Sequence, residues 1–388
     1  NVVTTLILAG AGSRYENIEI AGISHFLEHM FFKGSKKYPT PKAVAEAVDA
    51  FGGEFNAFTG KEYAGYYVKS GAQNIEKSLD VLSDMLLHAQ LNQEEINRER
   101  GVILEEMAMY LDMPTYQISW DFEQLVFGDQ PLGRDQIGTR KLIENVTSEQ
   151  FKQYRNELYV PKNMVITVAG AVNEKTLETV AQYFDMPNAE QKREMTPFDP
   201  NLATKKFRIR EKKTEQYHLS FGVRALSERD PNYAALRVLA VILGGNMSSR
   251  MFQHVREQKG LCYSIRTTID EYTDTGLLST RAGVKLDDIL RATEAIRAEY
   301  ELLTSVRDIA DFQLETSNTD IYQLASLIKQ RICVLAQRQL SLSFQSFGFK
   351  YGAPRDSDFI YDVRCLPNPY WVPELRIKSG QTEAVSAW

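Results

Sequence analysis

Two histidines and a glutamate in the run His25-Phe26-Leu27-Glu28-His29 carry the densest potential chemistry in the sequence. On a helix each residue advances by about 100°, so His25 and His29 fall about 40° apart, and Glu28 lies about 60° from His25 on the other side. Both imidazoles can then reach one cation, with Glu28 beside it and free of any duty as a ligand. Zinc suits nitrogen and carboxylate ligands in a tetrahedral site, and it lowers the pKa of its bound water toward about 7. A neighbouring carboxylate can act as general base, taking a proton and later delivering it to a leaving group.

The five-residue pattern also fits an ordinary solvated helix face. Its context argues otherwise, because Phe26, Leu27, Met30 and Phe31 make the helix largely apolar, and buried histidines and carboxylates need partners. One zinc per chain is the expected partner. A catalytic zinc usually has three protein ligands and one open position, so a third ligand must come from another element. The stretch Gln93 to Tyr110 offers Glu94, Glu95, Glu99, Glu105 and Glu106. Glu99 and Glu106 are nearly two turns apart on one helix face, so one can bind metal while the other supports the site from behind; Glu105 points about 100° away.

The elements that must position these groups alternate in type. Val2 to Ala9 reads as a strand, Ile23 to Phe32 as a helix, and Pro41 to Phe51 as a second helix with apolar residues at helical spacing. Gly52-Gly53 ends it, and Glu54 to Lys69 resumes strand character. Ile75 to Ala89 and Gln93 to Tyr110 read as amphipathic helices, the second capped by Asn92, and Val165 to Ala169 as a buried strand. Prolines from Met186 to Thr204 suit a linker. A second cycle follows: strands at Phe207 to Arg210 and Tyr217 to Val223, helices at Pro231 to Leu243 and Ser248 to Gln258, strands at Leu261 to Ile269 and Leu277 to Ala282, and a helix from Asp287 to Leu303. The expected fold class is α+β, with two related domains, each a mixed, mainly antiparallel sheet flanked by helices.

At 388 residues, no disulfide staples are needed for a core, and a net charge of −6 argues against a broad polyanion-binding surface. Cys262, Cys333 and Cys365 are too scattered for a thiolate zinc site or a disulfide framework, which points to a reducing, cytoplasmic setting. No apolar stretch is long enough to span a bilayer, so no membrane partner is expected. The opening run reads as a strand rather than a signal peptide, and an export signal could still lie upstream.

These residues resemble the pitrilysin family of metallopeptidases, the inverzincins, which includes insulin-degrading enzyme and the mitochondrial processing peptidase. The resemblance is carried by Ala11-Gly12-Ser13-Arg14-Tyr15-Glu16, by Gly22-Ile23-Ser24 leading into the histidine run, by Gly52-Gly53-Glu54-Phe55-Asn56-Ala57-Phe58-Thr59, and by Glu99-Arg100-Gly101-Val102-Ile103-Leu104-Glu105-Glu106. In that family the third ligand is a glutamate on a later helix, preceded seven residues earlier by another. Glu106, 77 residues after His29 and seven after Glu99, fits both requirements, with Glu105 as the alternative. The resemblance further implies that Arg256 and Tyr263, in Val255-Arg256-Glu257-Gln258-Lys259-Gly260-Leu261-Cys262-Tyr263, contact substrate from the second domain, Tyr263 donating to an oxyanion. It implies that the strand at Asn56 and Ala57 holds the substrate peptide as an added strand. His88, His218 and His254 lack ligand spacing and read as ordinary surface or hydrogen-bonded residues.

The resemblance covers residues 1–303 and divides them into a metal-binding catalytic domain, 1–190, and a partial second domain, 205–303. Residues 304–388 resemble a fragment of the RNase adapter protein RapZ, through Ser346-Phe347-Gly348-Phe349-Lys350-Tyr351-Gly352 and Asp362-Val363-Arg364-Cys365-Leu366-Pro367-Asn368-Pro369. This short α/β tail reads as joined to an incomplete second domain. The function implied is zinc-dependent endopeptidase action on peptides or unfolded segments. The alternatives are a non-catalytic scaffold or processing partner of the same family, and an RNA or small-anion adapter acting through the tail, where Lys350, Arg355 and Arg364 offer at most a weak nucleic-acid contact. Pairing of two chains as a homodimer would complete the four-domain clamshell of that family.

Overall fold

The computed structural model describes residues 1–202 and 207–309, with side chains through residue 301. The chain divides into two compact units, Asn1–Asn318 and Thr319–Trp388, and the tail resemblance falls outside the described residues.

The first half begins with β1 (Val2–Ala9), whose alternate residues are buried, and passes through two short 3-10 turns to α1 (Ile23–Phe31). Helix α2 (Pro41–Asp49) starts on Pro41, and the Thr40 hydroxyl accepts from Ala43 N, a conventional N-cap. The stretch expected as one strand from Glu54 to Lys69 is a hairpin of two, β2 (Glu54–Thr59) and β3 (Ala64–Gly71). Gly60 lies at the reversal, its N–H bonded to the Tyr63 carbonyl. Then come α3 (Ile75–Leu87), α4 (Gln93–Asp112) capped by Asn92 as expected, α5 (Pro114–Phe127), α6 (Arg140–Asn145), α7 (Ser148–Leu158), β4 (Met164–Gly170) and α8 (Thr176–Tyr183).

The four strands pair antiparallel in the order β2-β3-β1-β4. Strand β4 therefore lies at an edge, which corrects the expectation that Val165–Ala169 is buried: Val165 is exposed. Valine and isoleucine in succession satisfy the backbone of an edge strand as readily as that of a central one, and composition alone does not separate the two. The core of this half gathers Ile7, Phe26, Phe31, Val68, Leu86, Ile103 and Phe151 between sheet and helices.

In the second half β5 (Tyr217–Ala225) precedes α9 (Tyr233–Ala240), two wider π-type helical segments (Val241–Gly245 and Phe252–Gln258), β6 (Cys262–Glu271), β7 (Gly276–Val284) and α10 (Ile289–Ile309). The strands pair antiparallel in the order β5-β7-β6. Residues 207–210 form no strand, against expectation. Arg208 and Arg210 reach side chains of α5 instead, with Arg210 Nη2 2.7 Å from Asp121 Oδ1, so this segment is held by its side chains rather than by a ladder. A separate core forms around Leu243, Val255, Ile265, Ala282 and Ile296.

The halves meet through Phe122, Phe127 and Leu132 packed with Tyr272 and Leu277. Arg14, with no exposed surface, stands at the same junction. Its Nη1 and Nη2 bond Asp274 at 2.7 and 2.6 Å, and Nη1 bonds Glu62 at 2.6 Å. A fully buried guanidinium must be paired in this way, since without these carboxylates its charge would be uncompensated. No helix among the described residues is long and apolar enough to cross a membrane.

Candidate metal centre

Helix α1 is fixed before its functional side chains come into play. Gly22, at φ 105°, opens it, and a Cβ there would stand 2.6 Å from the Ile137 carbonyl oxygen, so no larger residue fits. The Glu16 carboxylate accepts from Gly22 N at 2.7 Å and Ser24 N at 2.9 Å, satisfying the first free amides of the helix. Burial pushes the Glu16 carboxyl up, and the hydrogen bonds from Ser24 and Gly22 oppose that rise. Ile23, Phe26, Leu27, Met30 and Phe31 are buried, with Phe26 edge-on to Phe151 and Phe31 edge-on to Tyr66. This apolar clamp leaves His25, Glu28 and His29 on the remaining face.

His25 Nε2 lies 3.7 Å and His29 Nε2 3.5 Å from Glu106 Oε2, which α4 brings across to them. The two rings meet edge-on with centroids 4.8 Å apart. Ligand atoms about 2.0 to 2.2 Å from a tetrahedral zinc lie about 3.3 to 3.6 Å from one another. The Glu106 separations approach that spacing, and the donor set of two imidazoles and one carboxylate is one that zinc takes. Of the glutamates on α4, Glu106 joins this cluster, whereas Glu105 is exposed.

Glu99, nearly two turns back along α4, accepts from His29 Nδ1 at 2.9 Å and from Lys33 Nζ at 2.6 Å. Burial acts to raise the Glu99 carboxyl, but the bonds from His29 and Lys33 outweigh it and hold it below the usual carboxylate range. This fixes the His29 ring with Nε2 turned toward Glu106. His25 has no such support: its Nδ1 is buried without a hydrogen-bond partner, and burial, together with the neighbouring His29, depresses its pKa to about 4. An imidazole in this environment is neutral at pH 7, the form that can bind a metal.

Glu28 accepts a short hydrogen bond on Oε2 from the Thr59 hydroxyl, at the end of β2. Burial pushes its carboxyl up, against the pull of Thr59 and His29. Asn56 and Ala57 lie on β2, an edge strand, and the Ala57 N–H bonds the Asn56 side chain at 2.8 Å rather than a neighbouring strand. Arg256 and Tyr263 stand together in a pocket lined by none of the histidine cluster; the guanidinium lies over the Phe252 ring at 4.4 Å and 5.8 Å from the Tyr263 centroid. His254 is hydrogen-bonded to Glu299, in keeping with the ordinary role expected of it.

Three groups that hold this arrangement carry no role in the sequence reading: Glu16, Lys33 and Thr59. Glu16 and Thr59 belong to the runs that carry the family resemblance, which was their only signal. Glu16 and Thr59 act on α1 from other elements, and Lys33, just past the end of α1, acts on Glu99 of α4; no periodicity reports such contacts.

The sequence matches the pattern of the insulinase family, peptidase family M16, over residues 1–140, that of the peptidase M16 inactive domain over 145–315, and that of the RapZ C-terminal domain over 340–388. An uncharacterized zinc protease of Bacillus subtilis, YmxG, is 38% identical over 310 residues, covering 79% of this chain and 74% of that protein. An uncharacterized zinc protease of Streptomyces coelicolor is 34% identical over 321 residues, covering 81% and 68%. Among solved structures, a protease from Helicobacter pylori superposes with a TM-score of 0.70 at 24% identity, covering 84% of this chain and 80% of that one. Pitrilysin superposes with a TM-score of 0.62 at 17% identity, over 80% of this chain and 34% of its own. With both halves matched and a relative this similar along most of its length, the chain belongs to the insulinase family of peptidases, M16.

Proposed function

We propose that this chain is a zinc-dependent endopeptidase acting on peptides or unfolded protein segments, with one zinc held by His25, His29 and Glu106. The observation that carries the reading is the convergence of these three donors, from α1 and α4, with the Glu106 carboxylate 3.7 and 3.5 Å from the two imidazoles. Bound there, zinc supplies Lewis acidity and a lowered pKa for the water it holds.

The remaining chemistry belongs to the chain. Glu28 serves as general base. Thr59 occupies its Oε2, leaving Oε1 to take a proton, and the upward push of burial suits the group to return that proton to a leaving amine. Glu99 positions His29. The open edge of β2 at Asn56 and Ala57 takes the peptide as an added strand, and Arg256 and Tyr263 contact it from the second domain. In this division residues 1–190 form the catalytic domain and 205–303 part of a second one. The second contributes substrate contacts and no metal ligand.

Two variants test the reading. His29→Ala should remove most bound zinc, measured by metal analysis of the purified protein, and full occupancy would refute the ligand set. Glu28→Gln should keep zinc and lose peptide hydrolysis by about 10²- to 10⁴-fold. Loss of zinc in that variant would make Glu28 a ligand instead.

A further inference from the structure

The second sheet carries an arrangement that the chemistry above does not use. Arg266 on β6 and Arg281 on β7 are direct partners in the strand register. Both line a pocket of about 470 Å³ together with Arg256, Tyr263 and His218, and Thr115 of α5 closes it from the first half. Like charges placed opposite each other across a ladder, with Cβ atoms about 4.5 to 5.5 Å apart, oppose pairing. Arg266 is exposed, so water screens part of that repulsion, and neighbouring groups must offset the rest.

The protein does so only in part. No aspartate or glutamate lines the pocket. The nearest carboxylates, Asp270 Oδ2 to Arg281 and Glu257 Oε1 to Arg256, are each at 3.8 Å, beyond hydrogen-bonding distance. The Arg266 guanidinium has no partner among the described residues. Arg281 Nε is buried without an acceptor, and so is the hydroxyl of Ser220, its register partner on β5. Buried donors left unpaired in this way are rare, and these two share one rung of the sheet with the exposed Arg266, a place where an anion would satisfy them.

We propose that this pocket is a subsite for a carboxylate of the bound peptide, gripped by Arg266 and Arg281, so that the chain prefers substrates with an acidic group at that point. Two guanidinium forks match one carboxylate in geometry and charge. The pocket is an open cleft of a size to receive one side chain with its backbone. Because Arg256 and Tyr263 share it, the occupant is part of the peptide rather than a free anion. The proposal rests on the peptidase reading above. The carboxylate has two sources, an acidic side chain or the C-terminus of the substrate.

The test uses the full chain and a fluorescent peptide set in which glutamate is moved through each position of a glutamine-containing parent, every member made with a free and an amidated C-terminus. Anisotropy binding to the Glu28→Gln protein and kcat/KM on the unaltered protein are both read. Glutamate at one position, or a free C-terminus, should improve binding and kcat/KM by roughly tenfold. Position dependence assigns the side chain, and amidation sensitivity assigns the C-terminus. In Arg266→Gln and Arg281→Gln that preference should shrink several-fold, and Arg266→Glu should shift it toward lysine peptides. A circular-dichroism spectrum and a urea melt matching those of the unaltered protein show that the variants, second half included, remain folded. Peptides cleaved with no acidic preference, or a preference that survives both glutamine substitutions, overturn the subsite alone. A chain that binds zinc yet neither binds nor cleaves any of the peptides overturns the peptidase reading, and the subsite with it.

Discussion

Two histidine–glutamate clusters, one in each half of the molecule, start from the same residue types and reach different states. In the second half Glu299 accepts from His254 Nδ1 at 2.7 Å and from Arg250 Nε at 2.8 Å. Its charge is met by a permanent cation. In the first half Glu106 faces the Nε2 atoms of His25 and His29, with no lysine or arginine among the described residues within ion-pair distance. Glu99, on the same helix as Glu106, follows the Glu299 pattern, with Lys33 in place of Arg250. A partly buried carboxylate is best satisfied by a cation, and the one left facing two imidazoles has a place for a metal. What separates a structural histidine from a proposed metal ligand here is whether the protein has already supplied a positive charge to the carboxylate it faces.

The comparison predicts opposite results for one substitution at two places. Glu106→Gln should strip the chain of most of its zinc while leaving the fold intact. Glu299→Gln should leave zinc content unchanged and lower stability in a urea melt by about 1.5 kcal/mol, the low end for hydrogen bonds to charged groups, because Arg250 and His254 are both half-exposed. Zinc loss in Glu299→Gln would erase the distinction between the two clusters.

Much of the first cluster was legible in the sequence because it is local. The spacing of His25, Glu28 and His29 fixes their relative directions once the helix exists, and Phe26, Leu27, Met30 and Phe31 ensure that it exists and is buried. Glu99 and Glu106 were legible as a pair for the same reason, although spacing left Glu105 open until α4 was placed across α1. What could not be read is long-range. Thr59 reaches Glu28 from a strand end, and Glu16 reaches the start of α1 through its side chain. Helix α5 escaped notice because it packs on α4 along one side and on β5 along another, which spreads its apolar residues and blurs the helical period. The pairing of Arg266 with Arg281 depends on register, which a bulge between Cys262 and Ser264 shifts by one residue.

A finer prediction concerns Glu99, which belongs to both patterns: charge-paired like Glu299, yet hydrogen-bonded to His29, a proposed metal ligand. Glu99→Gln keeps an acceptor for His29 Nδ1 but loses the charge that Lys33 and His29 share. Zinc affinity should fall by about 10- to 100-fold, read by competition with a chelator of known affinity, with the site still filling at high zinc. An affinity equal to that of the unaltered protein would reduce Glu99 to a partner of Lys33 alone.

The smallest effect tests the third way a buried carboxylate can be satisfied, by a proton. Asp135 accepts from Ile137 N at 3.0 Å, and no lysine or arginine among the described residues lies within ion-pair distance of it. Burial pushes its pKa up to about 7, only partly opposed by the Ile137 hydrogen bond and the distant Lys61 charge. In the unfolded chain an aspartate titrates near about 3.9. Between these values the folded protein holds a proton that the unfolded chain has lost, so stability falls as pH rises from about 4 to about 7 and then levels off. Asp135→Asn keeps an acceptor for Ile137 and never carries the charge, so it should not share that decline. Thermal melts of the two proteins, each with zinc removed so that metal loss does not intervene, should nearly coincide at pH 4 and separate in favour of the variant by pH 8. A gap of the same size at every pH would mean that Asp135 is ionised in the folded protein throughout, and that a carboxylate at this position can remain charged without a cation beside it.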